Sequence, residues 1–219
     1  MDPQVIGRYL PIYGRAVLVT VEVSALGILL AIAIGLLCAS VRYARVPAVG
    51  RLAGGYVQLA RNTPLIVLLF FIYYGLPKVE IRLSQLASAV IGLAFIGGGY
   101  MAEAFRSGLE SVDRIQWESA VSLGMRPGAA MRHVVVPQAV SACFPALVAN
   151  VIFLIKETSV VSVVALADLV FVAKELIGNE YNTSEALFLL VFFYLLLVLP
   201  ISLLGSRLER RIRHAEFGD

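Results

Sequence analysis

The stretch "ESAVSLGMRPGAAMRHVVVPQA", Glu118 to Ala139, is small, polar and basic, with one proline in its middle and another near its end. The sequence around it is far more apolar, so the architecture turns on what this segment is for. Trp117, Ala120, Val121, Gly124 and Met125 recur at helical spacing on one face, while Glu118, Ser119 and Ser122 fall elsewhere. That pattern predicts a short amphipathic helix, with Asp113 as the cap at its start. Gly124 suits a left-handed residue closing the helix, and Pro127 disfavours helix at Arg126 while fitting the first turn of a second helix. Two short helices meeting at an angle are therefore expected within residues 113–137. The small residues Ala120 and Gly124 give them a face expected to sit in a partner's cleft. An ordinary loop lying on the membrane surface, with Arg126, Arg132 and His133 near anionic headgroups, explains the same pattern.

The rest of the 219 residues fixes the solvent. Apolar residues make up 59% and charged ones 15%, with mean hydropathy +0.86. A domain folded in water needs charge on its outside, whereas a bilayer bundle turns apolar residues outward. A helix needs roughly 20 apolar residues to cross a bilayer. Five runs meet that need: Ala16 to Val41, Leu52 to Pro77, Leu86 to Ala102 extended through Glu103, Val134 to Ile155, and Ala186 to Ser206. They place spans at about 16–41, 52–77, 86–106, 137–160 and 186–206 in one membrane domain covering 1–219. The runs lack the alternation of a membrane barrel strand, so an all-α membrane protein with five transmembrane helices is expected. The first run is longer than a signal-peptide core and has no convincing cleavage site, so a permanent span is expected there. On the other side of the fourth span, "AKELIGNEYNTSE" (173–185) suggests short interfacial helices. Pro64, Pro145 and Pro200 lie within spans, where a missing backbone donor bends a helix.

Loop charge sets the orientation. Eleven Arg fall in the loops at 42–51, 106–132 and 207–213, against five Lys or Arg in the opposite set, with Arg61 and Lys156 inside spans. The amino terminus is therefore expected outside and the segment at Glu118 inside. This placement, rather than the net charge of +3, decides the partner: lipid, not nucleic acid. Cys38 and Cys143 lie in apolar runs and the two His are far apart, so neither a disulfide framework nor a metal-ligand spacing is present. No catalytic pair stands out either.

With the fold class in hand, the central segment shows a resemblance. Glu118, Ser119 and Ala120, then Gly124, then Val134, Val135, Val136 and Pro137 resemble the signature cytoplasmic loop of the membrane subunits of ATP-binding-cassette importers. That signature is Glu-Ala-Ala, three residues, Gly, nine residues, Ile, any residue, Leu, Pro. Ser119, Val134 and Val136 depart from it, mildly in size and polarity. "RNTPLIVLLFFIYYGLP" (61–77), "YMAEAFRSGLESVDRIQWESA" (100–120) and "KETSVVSVVALADL" (156–169) look like the polar amino acid branch, which takes up histidine, glutamate, glutamine, arginine or opines.

The resemblance implies a type I importer permease fold with five spans and an outer amino terminus, in a bacterial cytoplasmic (inner) membrane. It makes 113–137 a cytoplasmic coupling helix, with Trp117, Glu118, Ser119, Ala120, Gly124 and Pro137 meeting an ATPase. Its implied partners are two ATP-binding subunits, a second permease (a copy or a homologue), an external solute-binding protein and a polar amino acid. No G-x-x-x-x-G-K-[ST] loop occurs, so ATP and Mg are expected in the ATP-binding subunits, with no cofactor and no catalysis in this chain. An ion-coupled secondary transporter or channel is the alternative, but it gives the central segment no task.

Ionisable groups inside spans are costly and point to function. Glu103, Lys156, Glu157, Arg61 and Asn62 are the candidates for the solute path. Lys156 and Glu157 point about 100° apart on a helix and do not pair with each other. The competing expectation is structural: Glu103 and Lys156 paired between helices or reaching to the interface, and Arg61 at the cytoplasmic edge. Asn150 is expected as helix-to-helix glue, while Glu22 and Asp168 lie nearer span ends.

Overall fold

A computed structural model describes residues 1–217. The side chains of 213–217 and all of 218–219 lie outside the described residues, and Arg213 of the loop charge count is among them. The regular elements of the described residues are all helices, with no strand. Four helices are long and apolar enough to cross a membrane, and a bent pair makes a fifth crossing.

The first, α1 (Pro3–Tyr43), begins at Asp2, whose side chain accepts from the Gln4 N–H, and with Pro3 in the first turn. It starts well ahead of the span expected at Ala16. The added outer turns carry Tyr9 and Tyr13, both fully buried. After a tight turn in which Arg45 takes φ 54°, α2 (Pro47–Asn62) leads to α3 (Leu65–Phe70). Pro64 separates the two, and the axes bend by 103° there. The run expected as one span bent at Pro64 is thus a broken one. A proline gives no backbone donor and disfavours helix in the residue before it, here Thr63. The carbonyls left over at the break are taken up locally, since Asn62 Nδ2 donates to Gln58 O (2.7 Å) and Thr63 Oγ1 to Leu59 O (2.7 Å).

Next, α4 (Gln85–Ser111) is the central post, packed by α1, α2 and α7. Then come α5 (Arg114–Ser122), α6 (Pro127–Ala130) and α7 (Val136–Glu157). A 3-10 segment (Thr158–Val164), α8 (Leu169–Glu180) and α9 (Thr183–Phe217) complete the chain. The interfacial stretch expected between the last spans is α8 and the start of α9.

Two widened turns share a cause. Phe71–Gly75 and Met131–Val135 are π-helical, and they lie just ahead of Pro77 and Pro137. A proline ring clashes with the carbonyl four residues back, which here is that of Tyr73 or His133, inside the widened turn in each case.

Two apolar clusters hold the helices. The larger joins α1, α3, α4, α7 and the 3-10 segment around Leu69, Leu93, Met101 and Leu154. In the smaller, Tyr9 and Tyr13 of α1 pack on Leu169, Leu176, Leu189 and Phe193 of α8 and α9. Polar bonds tie its rim: Tyr9 Oη donates to Glu180 Oε2 (2.8 Å) and accepts from Asn182 Nδ2 (2.8 Å), and Tyr13 Oη donates to Ala186 O (2.6 Å). Arg8 also pairs with Glu180.

Candidate functional site

The central segment folds as the elbow its sequence predicts. Asp113 caps α5 by accepting from the Ile115 N–H at 3.0 Å. At the other end Gly124 takes φ +91°. Its N–H reaches Val121 O (2.9 Å) and the Met125 N–H reaches Ala120 O (3.1 Å), the paired bonds that close a helix through a left-handed residue. Arg126 is extended and Pro127 opens α6. After the widened turn, Pro137 lies in the first turn of α7.

The facing of α5 differs from expectation. Ala120 is buried and Trp117 half-buried against this chain's own elements. Trp117 lines a cleft of ≈ 490 Å³ with Arg42, Tyr43 and Arg45 from the end of α1 and Met131 from the widened turn. Of the face expected in a partner's cleft, Ala120 and Trp117 thus seat the elbow on its own bundle, while Gly124 stays exposed with nothing within 4 Å of a Cβ built there. Pointing outward are Glu118, ion-paired with Arg114 at 2.8 Å, then Ser119, and two residues that the periodicity did not single out, Ile115 and Leu123. Leu123 is 88% exposed at the tip of the elbow. Its signal in the sequence was its place beside Gly124, which ends the helix and leaves its neighbour nothing to pack on.

The in-span candidates separate. Glu103 takes Arg42 Nη1 at 2.6 Å from α1 and Arg106 Nη2 at 2.6 Å from its own helix, and Arg106 also holds Glu110. It is paired between helices, but to Arg42 rather than to Lys156. The three-residue spacing of Glu103 and Arg106 carried half of this signal. Arg61 holds its guanidinium 5.8 Å from the Tyr100 ring centre, stacked against α4. Asn62 is spent on the broken span. Lys156 is exposed and Glu157 half-buried at the end of α7, and among the described residues neither has an ion-pair partner. Asn150 Nδ2 donates to Tyr100 O (3.2 Å), joining α7 to α4 as expected of a mid-span amide. No cluster of metal-ligating groups occurs among the described residues.

Residues 31–214 match the family of binding-protein-dependent transport system inner membrane components. The chain belongs to that family. It is a multi-pass inner-membrane permease subunit of an ATP-binding-cassette importer, and not a member of a catalytic family. Similar proteins include the probable glutamine ABC transporter permease protein GlnP of Bacillus subtilis (strain 168), 34% identical over 197 residues that cover 89% of this chain and 90% of that one. The arginine transport system permease protein ArtQ of the same organism is 33% identical over 163 residues, 74% of each chain. Among solved structures, a crystal structure of an amino acid ABC transporter with histidines has a TM-score of 0.89 at 32% identity, covering 96% of this permease and 99% of that chain. An inward-facing MetNI methionine ABC transporter, at 21% identity and a TM-score of 0.78, shares the type I importer fold. This family membership decides against the ion-coupled secondary transporter.

Proposed function

We propose that this permease forms the membrane path for a polar amino acid and that its α5–α6 elbow is the point where an ATPase drives it. The observation that carries the reading is the elbow itself, capped at both ends, seated on its own bundle through Ala120 and Trp117, and projecting Leu123 outward. A fixed knob of this kind transmits a push, because α4 leads into it and α7 leads out of it. Glu118, Ser119, Gly124 and Pro137 shape the elbow, and Ile115 and Leu123 supply its contact surface. ATP and Mg are bound by two partner ATP-binding subunits, with no cofactor in this chain. A second permease, the same or homologous, completes the path, and an external solute-binding protein delivers the solute to the side where the amino terminus lies. The relatives named for glutamine and arginine transport support a polar amino acid as the solute. Lys156 and Glu157, without ionic partners among the described residues, are assigned to the charged ends of that solute.

Replacing Gly124 tests the coupling. A β-branched side chain is strained at φ +91°, by about 1–2 kcal/mol, yet a Cβ there meets nothing within 4 Å. Gly124→Val is therefore expected to insert in the membrane at wild-type level while redirecting the elbow. Uptake by vesicles co-reconstituted with the ATPase subunits should fall at least tenfold, and ATP hydrolysis should lose its response to loaded binding protein. Wild-type uptake by this variant, or ATP-independent uptake by the unmodified permease, overturns the reading.

A further inference from the structure

Among the described residues, three buried side-chain polar atoms have no hydrogen-bond partner: Ser88 Oγ, Asp168 Oδ2 and Tyr194 Oη. The last two lie at one joint, since Tyr194 of α9 packs on the apolar cluster that contains Leu169, the residue after Asp168. Asp168 is 1% exposed. One of its oxygens is employed, for Oδ1 accepts from the Phe171 N–H at 2.8 Å and so caps α8. The next residue, Leu169, donates its N–H to Thr20 Oγ1 of α1 at 3.3 Å. The start of α8 is thereby strapped to α1, with Tyr194 arriving from α9. An anionic oxygen left without a donor in apolar surroundings is expensive, and a proton removes that expense by making the group neutral and giving it a hydrogen to donate.

We propose that Asp168 and Tyr194 form a buried proton-binding site at the joint of α1, α8 and α9, where the bound proton keeps α8 seated and its loss loosens that seat.

The surroundings set the direction. Burial raises the Asp168 carboxyl to about 6, against the N–H bonds at the head of α8 and the Lys174 ammonium, which pull it down. The other charged groups on the packed elements offer no compensation. Arg15 and Glu22 on α1 and Glu175 on α8 are exposed, Glu157 and Glu185 are half-buried, and Arg8 and Glu180 neutralise each other. Thr20, Thr158 and Ser162 are neutral. The folded chain therefore binds this proton more tightly than the unfolded one. The stabilisation is complete below the ordinary carboxyl value of 3.8 and is lost as pH rises through about 6.

Infrared spectroscopy of the full-length chain in lipid nanodiscs tests it. A protonated-carboxyl band should be present at pH 5 and disappear with a midpoint near 6, and it should be missing from Asp168→Asn. Thermal midpoints should fall from pH 5 to pH 7.5 in the wild type and stay level in Asp168→Asn, which cannot ionise. Tyr194→Phe keeps the carboxyl while removing the unpartnered hydroxyl of the joint, the group available to donate to the ionised form, so its infrared midpoint should rise by about one pH unit. This second variant also carries the test if Asp168→Asn does not fold. A wild-type band that vanishes in the ordinary carboxyl range, or a Tyr194→Phe midpoint identical to that of the wild type, overturns the site.

Discussion

Gly35→Val is expected to leave almost no folded permease in the membrane. A Cβ at Gly35 would lie 2.5 Å from Met101 Cβ, 2.8 Å from the Ala102 nitrogen and 2.9 Å from the Met101 carbonyl carbon. Two of these three atoms are backbone, so no rotamer change relieves the clash and α1 must move off α4. That contact is the most extensive between any two helices here, and it buries Met101 and Ala102 completely. Within a bilayer, lipid tails are as apolar as leucine, so close packing of small residues drives the association that the new side chain prevents. Overpacking typically costs 1–3 kcal/mol, and a backbone-limited site belongs at about 3 kcal/mol or above. Membrane-fraction immunoblots and thermal unfolding in detergent measure the outcome, with Gly35→Ala intermediate. An unchanged unfolding midpoint for Gly35→Val would show that the two helices do not approach as described.

The second large effect concerns Glu103. In Glu103→Gln, Arg42 loses its carboxylate and Arg106 keeps only Glu110. A deeply buried guanidinium stranded in this way costs 3–5 kcal/mol. These side chains are 20–29% exposed, so water offsets part of that and about 1–3 kcal/mol is expected. Adding Arg42→Gln should then cost little, because its partner is already gone, and the sum of the single effects should exceed the double by about 1 kcal/mol or more. Strict additivity would mean that the α1–α4 pair contributes nothing. The same variants separate structure from solute binding: a group that only braces helices changes the unfolding midpoint and leaves the uptake KM alone. A raised KM with an unchanged midpoint would return Glu103 to the solute path.

These two sites show how far the sequence carries. Gly35 stands in an uninterrupted apolar run, and nothing local distinguishes it from Gly27 or from a lipid-facing position, because its role exists only once α4 lies across it. Glu103 was visible as a charge in a span, and Arg106 as its neighbour on the helix. Arg42, by contrast, sits 61 residues away in sequence, and its partner is set by tertiary packing. The elbow was the most legible part, since Asp113, Gly124 and Pro127 act through backbone rules that hold in any surroundings. The orientation of its faces was not: Trp117 and Ala120 read as a face for a partner's cleft or as part of a loop on the membrane surface, because periodicity shows that a face is apolar and not what it packs on. The outer turns of α1 were passed over because Arg8 and Arg15 break the apolar run, although Tyr9 and Tyr13 beside them form the smaller core. Pro64 was seen as a bend, but sequence alone gives no angle.

The widened turns at Phe71–Gly75 and Met131–Val135 have a last consequence. A π turn holds one residue more than the α turn it replaces, so each behaves as a single-residue insertion tolerated inside a span. Deleting one residue from Met131–Val135 would restore a regular spiral and swing the amino-terminal elbow about 100° around the axis of the helix that follows. The spare residue thus acts as a clocking element: it dials the compass bearing at which Leu123 leaves the bundle, and excising it would aim that side chain at a different quadrant without altering any residue of the elbow itself.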